Sequence, residues 1–327
     1  MSRASAVPLV MLPLVMLLAL MVGSVAVAPR DLLAALLGAG DERLRAVIME
    51  IRLPRLLLGA LVGGSLGLAG AALQGLLRNP LADPGVVGVS AAAALGAVVA
   101  IHFGLAAMSP LMVPGLAIVT SLLATAVLYV VARRDASVLT LILAGVALSS
   151  FANALTSLVI NLAPNPYSLN DIVMWLLGSL SNRSTSDLWL ALPFIAAGSL
   201  LLFICGRSLD ALTLGEDTAR TLGVDLARLR LLVVGGTALA VGAGVAVAGA
   251  IGFVGLVVPH LVRPFVGHVP SRLLLPSALG GALLVVLADL LVRLAPGEHE
   301  LKLGVVTALI GTPFFFHLLL STRRAMR

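Results

Sequence analysis

Charge and chemistry are scarce in this chain. Of its 327 residues only 11% are charged, one is a cysteine (Cys205), one is a lysine (Lys302), and tryptophan and tyrosine occur twice each. A lone cysteine in an apolar run excludes a disulfide framework or a cysteine-held metal cluster, and leaves Cys205 as a small buried hydrophobe. Because Lys302 stands in Glu300-Leu301-Lys302-Leu303-Gly304, there is no glycine-rich loop ending in Lys-Ser or Lys-Thr. The chain therefore carries no nucleotide-phosphate cradle of that kind and no ATPase of its own. The five histidines (His102, His260, His268, His299, His317) lack metal-ligand spacing, and no Ser-His-Asp set is defined, so no catalytic residue, metal or cofactor is expected. His260, next to Pro259, is expected either to bind a substrate or, more simply, to cap a broken helix. Basic stretches interleaved with aromatics are also missing, so the net charge of +6 reports orientation in a bilayer rather than nucleic-acid binding.

What fills the chain is hydrocarbon. A hydrophobic fraction of 60% and a mean hydropathy of +1.13 exceed what a soluble domain of this length can hide, so the fold class is an all-α polytopic membrane protein. Apolar segments of spanning length predict about ten helices: Val7 to Ala28, Leu56 to Leu77, Val86 to Phe103, Leu111 to Ala132, Val138 to Leu162, Leu188 to Cys205, Leu229 to Ala248, Ile251 to Val266, Leu273 to Leu294 and Leu303 to Leu320. The first is read as a span rather than a signal peptide, because Ala28-Pro29-Arg30 is a poor cleavage site. An even number puts both termini on one side. The chain is read as a single membrane domain, 1–327. Segments interrupted by Gly or Pro, after Pro80 and Pro84 and around Pro259 and Pro264, are expected to line a cavity or pathway.

The charges that exist are unevenly placed. Eight fall between Arg207 and Arg230, a polar island that must sit in water between two spans and is built to touch something. With the termini cytoplasmic, thirteen Arg lie inside against eight Arg and Lys outside, which supports that orientation. Arg30, Arg43, Arg45, Arg52 and Arg55 crowd the first external loop against this rule. Either they bind something, or Asp31, Asp41, Glu42 and Glu50 neutralise them. Gly59, Gly63 and Gly67 recur every four residues on one helix face, where they let another helix approach closely, and Gly235, Gly236, Gly242, Gly244 and Gly249 crowd the seventh span. Gln74, Asn153, Asn161, Asp289 and His317 are the polar groups at membrane depth. Asp289 is either a relay for a proton or cation, or the partner of Arg293 four residues on.

A set of motifs then carries a resemblance. They are Ile51-Arg52-Leu53-Pro54-Arg55; Leu73-Gln74 with Arg78-Asn79-Pro80-Leu81-Ala82-Asp83-Pro84; Leu143-Ala144-Gly145-Val146-Ala147-Leu148; Leu214-Gly215-Glu216 with Ala219-Arg220 and Leu222-Gly223; Gly249-Ala250-Ile251-Gly252-Phe253-Val254-Gly255-Leu256 with Pro259-His260 and Arg263; and Gly304-Val305-Val306-Thr307 with Gly311-Thr312-Pro313-Phe314. From about residue 50 to the C-terminus, in unchanged order, the chain resembles the FecCD permease family, which contains cobalamin, haem and ferric-siderophore permeases.

The resemblance implies a BtuC-like type II ABC importer permease fold of ten spans in the bacterial inner membrane. It implies a homodimer around a central pathway, two cytoplasmic ATPase subunits below and a periplasmic substrate-binding protein above. In the loop at about 207–228, two short helices between Leu209 and Val224 would rest on the ATPase through Leu212, Leu214, Glu216, Ala219, Arg220 and Leu222, with turns at Gly215 and Gly223. Arg52, Arg55 and Arg293 match arginines that receive carboxylates from the binding protein. The pathway is implied at the dimer axis along the fifth span, with closure near Asn79 and Pro80 and near Ser137, Val138 and Leu139. The last two depart from the small hydroxylated residues of the cobalamin permeases. Ser149, Ser150, Asn153, Thr156, Ser157 and Asn161 either face that pathway or bond to neighbouring helices. The function expected is passage of an iron complex, ferric siderophore or haem, with cobalamin as the close alternative. An ion-coupled secondary transporter using Asp289 and an energy-independent channel are the other classes.

Overall fold

The computed structural model describes residues 3–23, 26–134, 138–295 and 300–325, of which 3–7, 132–134, 138 and 317–325 are described as backbone only. The helices are α1 (Arg3–Met21), α2 (Pro29–Leu36), α3 (Glu42–Ala46), α4 (Leu53–Leu76), α5 (Val89–His102), α6 (Leu105–Met108), α7 (Met112–Arg134) and α8 (Val138–Asn161). The second half adds α9 (Pro166–Leu176), α10 (Thr185–Ile204), α11 (Gly206–Leu212), α12 (Glu216–Thr221), α13 (Leu226–Ala248), α14 (Val254–Val266), α15 (Pro270–Leu294) and α16 (Leu303–Ala325). Among the described residues six helices are long and apolar enough to cross a membrane, and Pro8–Met21, Val89–His102, Val254–Val266 and Leu303–Phe316 are shorter apolar helices. Together these follow the expected segments in order.

The ends are set by local chemistry. Asn165 and Asp225 accept N–H bonds from Ser168 and Arg228, at 2.9 and 3.0 Å, to cap α9 and α13. Ser184 and Asp187 form a capping box at α10. A π-helical stretch, Val47–Arg52, joins α3 to α4 in one helical run from Glu42 to Leu76.

At the centre lies α4, packed on α15, α13, α14 and α10. The glycine spacing expected to admit a close helix does so, and the helix is α15: a Cβ on Gly63 would lie 2.3 Å from the Gly281 carbonyl oxygen, and one on Gly67 only 2.1 Å from that of Ser277. Backbones in such contact exclude any side chain.

Several expectations need correction. The first span stops at Met21 rather than Ala28. Helix α9 falls where no span was expected, because Tyr167, Asn170 and Asp171 dilute its apolar content over only 11 residues. Residues 249–253 are not helical: Gly249 and Phe253 take φ of +70° and +67°, which breaks the chain between α13 and α14. Three such breaks meet. The Ser179 N–H donates to Ala248 O at 2.7 Å and the Gly304 N–H to Gly178 O at 3.4 Å, so backbone freed from helices finds partners inside the protein. His260 lies within α14 rather than at a helix end, its ring in a T-shaped contact with that of Phe314.

Candidate functional site

The polar features gather at the two ends of the bundle. At one end, α11 and α12 form the two short helices expected in the charged island. Gly215, at φ +105°, and Gly223, at φ +85°, supply turns that a Cβ would strain. Leu214 and Leu222 are 64% and 61% exposed, and Asp217 and Arg220 are exposed beside them. Leu212 and Ala219 do not join this outer face. They are buried, at 3% and 0%, because the helical period turns them with Leu209 onto the bundle, where they hold the short helices in place. Glu216 is also occupied: its Oε1 accepts from Nη2 of the buried Arg230 on α13 at 2.8 Å. A hollow of about 490 Å³ separates α12 from the end of α4, lined by Leu76, Leu77, Arg78, Leu212, Gly215 and Glu216.

Just past α4 the chain turns back into the bundle. Asn79 Oδ1 accepts from the Leu81 N–H at 2.9 Å, and Asp83 Oδ1 from the Gly85 N–H at 2.8 Å, which starts a 3-10 turn at Pro84–Val87. Burial raises the Asp83 carboxyl above its usual range, opposed by backbone hydrogen bonds from Gly85 and Leu256. This turn lies on α8: a Cβ on Gly145 would meet Val86 O at 2.3 Å, and Ser149 Oγ donates to Gly85 O at 3.4 Å. Re-entry explains why α5 has only 14 residues. Gln74 binds the same region together. It accepts from Arg263 Nη2 on α14, and its amide faces the carbonyls of Ala82 and Gly255 at 3.4 Å.

Of the expected gate and pathway residues, Asn79 is exposed and Pro80 half-buried, while Leu139 (65% exposed) and Asn153 open outward from α8. Ser149 is half-buried against the 3-10 turn. Ser137 lies outside the described residues, as does the side chain of Val138.

At the opposite end, Arg52, Arg55 and Arg293 come together, but in a buried cluster rather than an exposed patch. Arg55 Nε and Nη2 donate to Asp289 Oδ1 at 3.0 and 2.9 Å, and its Nη1 and Nη2 donate to Glu300 at 3.1 Å. Arg293 donates from Nε to Asp289 Oδ2 at 2.9 Å and from Nη1 to Ala19 O at 3.1 Å. Arg52 Nη1 donates to Leu20 O at 2.7 Å. Asp289 is thus an ion-pair partner of Arg293, as one reading held, and of Arg55 too. The arginines are covered because the first turn of α4 faces the last turns of α15, and cations removed from water require such partners. Among the described residues, Arg30, Arg43 and Arg45 are the exposed arginines of this end.

Glu300 and Ser181 complete the cluster. Neither was singled out from sequence, and only proximity in space reveals them. Ser181 Oγ donates to Glu300. Burial alone would raise the Glu300 carboxyl, but hydrogen bonds from Arg55 and Ser181 and the charges of Arg55 and Arg293 outweigh it and hold the group below the ordinary carboxylate value.

Comparison with known proteins identifies the family. The sequence profile of the FecCD transport family matches residues 11–321. A Bacillus subtilis protein named as an uncharacterized ABC transporter permease, YvrB, is 44% identical over 89% of this chain and 83% of its own. The cobalamin import permease BtuC of Halobacterium salinarum is 42% identical over 85% of this chain and 74% of its own. The vitamin B12 import permease BtuC of Salmonella typhimurium is 40% identical over 94% and 92%. A solved structure, described as an inward-facing conformation of an ABC transporter assigned to the metal-chelate type, superposes with a TM-score of 0.88 at 32% identity over 97% of this chain and 98% of its own. With residues 11–321 matched, and with two of the quoted motifs meeting where Gln74 joins Arg263, this chain belongs to the FecCD transport family and is a membrane permease of an ABC importer.

Proposed function

We propose that the chain is a single membrane domain, one half of a homodimer that passes a bulky metal chelate along the dimer axis, driven by ATP hydrolysis in partner subunits. The observation that carries this reading is α8. It is 24 residues long and apolar, yet only 17% of its apolar window is buried, and Ser149, Asn153 and Asn161 interrupt its hydrocarbon. A second copy set against this face would enclose a pathway bounded by Leu139, Ser149 and Asn153, with the re-entrant turn at Asn79 to Pro84 closing its cytoplasmic end.

The termini and the α11–α12 end are assigned to the cytoplasm by the arginine distribution. There Leu214, Arg220 and Leu222 offer apolar anchors with a charged rim to the ATPase, while Leu212, Glu216 and Ala219 support them from behind. The opposite end receives the substrate-binding protein. A partner carboxylate reaches Arg55 by replacing Glu300, the half-exposed one of its two acceptors, so docking exchanges one carboxylate for another.

For the cargo we retain two chelate classes. An iron complex accords with the family's range, and the relatives named for cobalamin or vitamin B12 import favour a corrinoid equally. The test is uptake into liposomes holding the permease with its ATPase and binding protein, offered a cobalamin, a ferric siderophore and haem in turn. ATP-dependent accumulation of one class, indifferent to a protonophore, is expected. Uptake without ATP, or collapse with the proton gradient, would overturn the proposal.

A further inference from the structure

Asp210 belongs to the charged island but does not face outward with Asp217 and Arg220. Its Oδ1 accepts the backbone N–H of Ser271 at 2.8 Å. Ser271 is the second residue of α15, whose own N-cap position, Val269, contributes no side-chain hydrogen bond. The first N–H groups of a helix have no intrahelical partner and sit at the positive end of its dipole, so a carboxylate there satisfies a donor and is electrostatically favoured. Helix α15 therefore takes its cap from another helix. The two are also in contact beside that bond. A Cβ on Gly206 would lie 3.2 Å from Ser271 Cβ, and Leu209, next to Asp210, is fully buried.

From this cap α15 runs 25 residues, roughly 37 Å at 1.5 Å per residue. Pro276 interrupts its ladder early, but Ser277 and Gly281 immediately beyond are locked against the backbones of Gly67 and Gly63, which confines bending to the first two turns. Its far end carries Asp289 and Arg293, bonded to Arg55 and to the last turn of α1.

We propose that Asp210 is a positioning residue for transport. It fastens α11 to the N-terminus of α15, so that a displacement of α11 travels along α15, and along the α4 backbone keyed to it, to the cluster of Arg55, Asp289, Arg293 and Glu300 at the other end. The inference rests on the reading of α11 and α12 as the ATPase-docking helices. It adds that one route by which the signal leaves them is the Asp210 carboxylate, beside the Glu216–Arg230 bond from α12 to α13.

The experiment uses the complete complex in liposomes and reads substrate transported per ATP hydrolysed. Asp210→Ala is expected to lower that ratio about tenfold or more, the scale of losing a charged hydrogen bond, whereas Asp210→Asn, which keeps an acceptor oxygen, stays within about twofold. A second variant guards against simple misfolding: Asp210→Ala combined with Cys205→Ala, Gly206→Cys and Ser271→Cys. The two new thiols replace the hydrogen bond with a disulfide between the same helices, so oxidation restores the ratio and reduction abolishes it. An unchanged ratio in Asp210→Ala, or a disulfide that forms without recovery, overturns the proposal. Failure of the wild-type chain to retain an ATPase would sink the underlying docking reading instead, and co-purification of that subunit with each variant separates the two failures.

Discussion

Helices α4 and α8 are both 24 residues long and both strongly apolar, yet 78% of the apolar window is buried in α4 and 17% in α8. Hydropathy does not distinguish them, because each suits a bilayer. Small residues do, by what they meet. On α4, Gly63 and Gly67 lie against the carbonyl oxygens of Gly281 and Ser277, so two helices share one backbone-to-backbone seam. Along α8 the comparable approach is limited to Gly145 against Val86, while Leu143, Phe151 and Leu158 stand 53% or more exposed. In a membrane, where lipid is as apolar as leucine, close packing and polar pairing decide which helices become the core.

The sharpest way to break this contrast is one added side chain on each helix. Gly67→Leu drives atoms into Ser277 O with no flexible neighbour to yield, and is expected to abolish the folded permease, at a cost of about 3 kcal/mol or more. Ala154→Leu on the exposed face of α8 is expected to leave the single chain folded, within about 0.5 kcal/mol, as for other uncovered positions. Thermal unfolding in detergent reads both, and equal losses would mean that α8's face is already covered. Next in size is Arg55→Ala, which strands Asp289 with Arg293 alone. Breaking a buried pair of this kind is expected to cost about 3 kcal/mol, read by the same assay, and an unchanged melting point would show that the α4–α15 seam needs no polar lock.

Smallest is the pH response at Glu300. Its folded carboxyl is held below its ordinary value, so its contribution is complete above that value, about 4.3, and is lost as pH falls through the lower folded one. Half-exposed as it is, Glu300 contributes at most about 1 kcal/mol. A Glu300→Gln chain should therefore lose less stability than the parent between neutral and acidic pH, and parallel curves would remove Glu300 from the clasp.

Much of this was legible in residue order. The glycines of α4 announced a close neighbour, and the charged island announced a wet segment with a partner, which the family resemblance divided into two short helices around Gly215. Caps at Asn165 and Asp225 are local chemistry, although α9 escaped notice because its polar residues hid its apolar face. The arginines taught the opposite lesson. Five crowded one loop, and sequence could not say that Arg52 and Arg55 would be buried while Arg30, Arg43 and Arg45 would not. Arg55 meets an acceptor 245 residues away, and no local pattern encodes that pairing. The same holds for Asp210, one of eight charges in the island, whose partner is a backbone N–H on α15.

By itself the sequence determined the solvent, the order of the apolar helices, the interruption after Pro80 and Pro84, and the family. The first three follow from transfer free energies and backbone preferences that act residue by residue, and the family from its motifs. Only the tertiary structure decided that α4 lies inside and α8 outside, that three arginines form a clasp, and that α11 caps α15. Each of those depends on two distant surfaces meeting, and the free energy of a contact belongs to the pair.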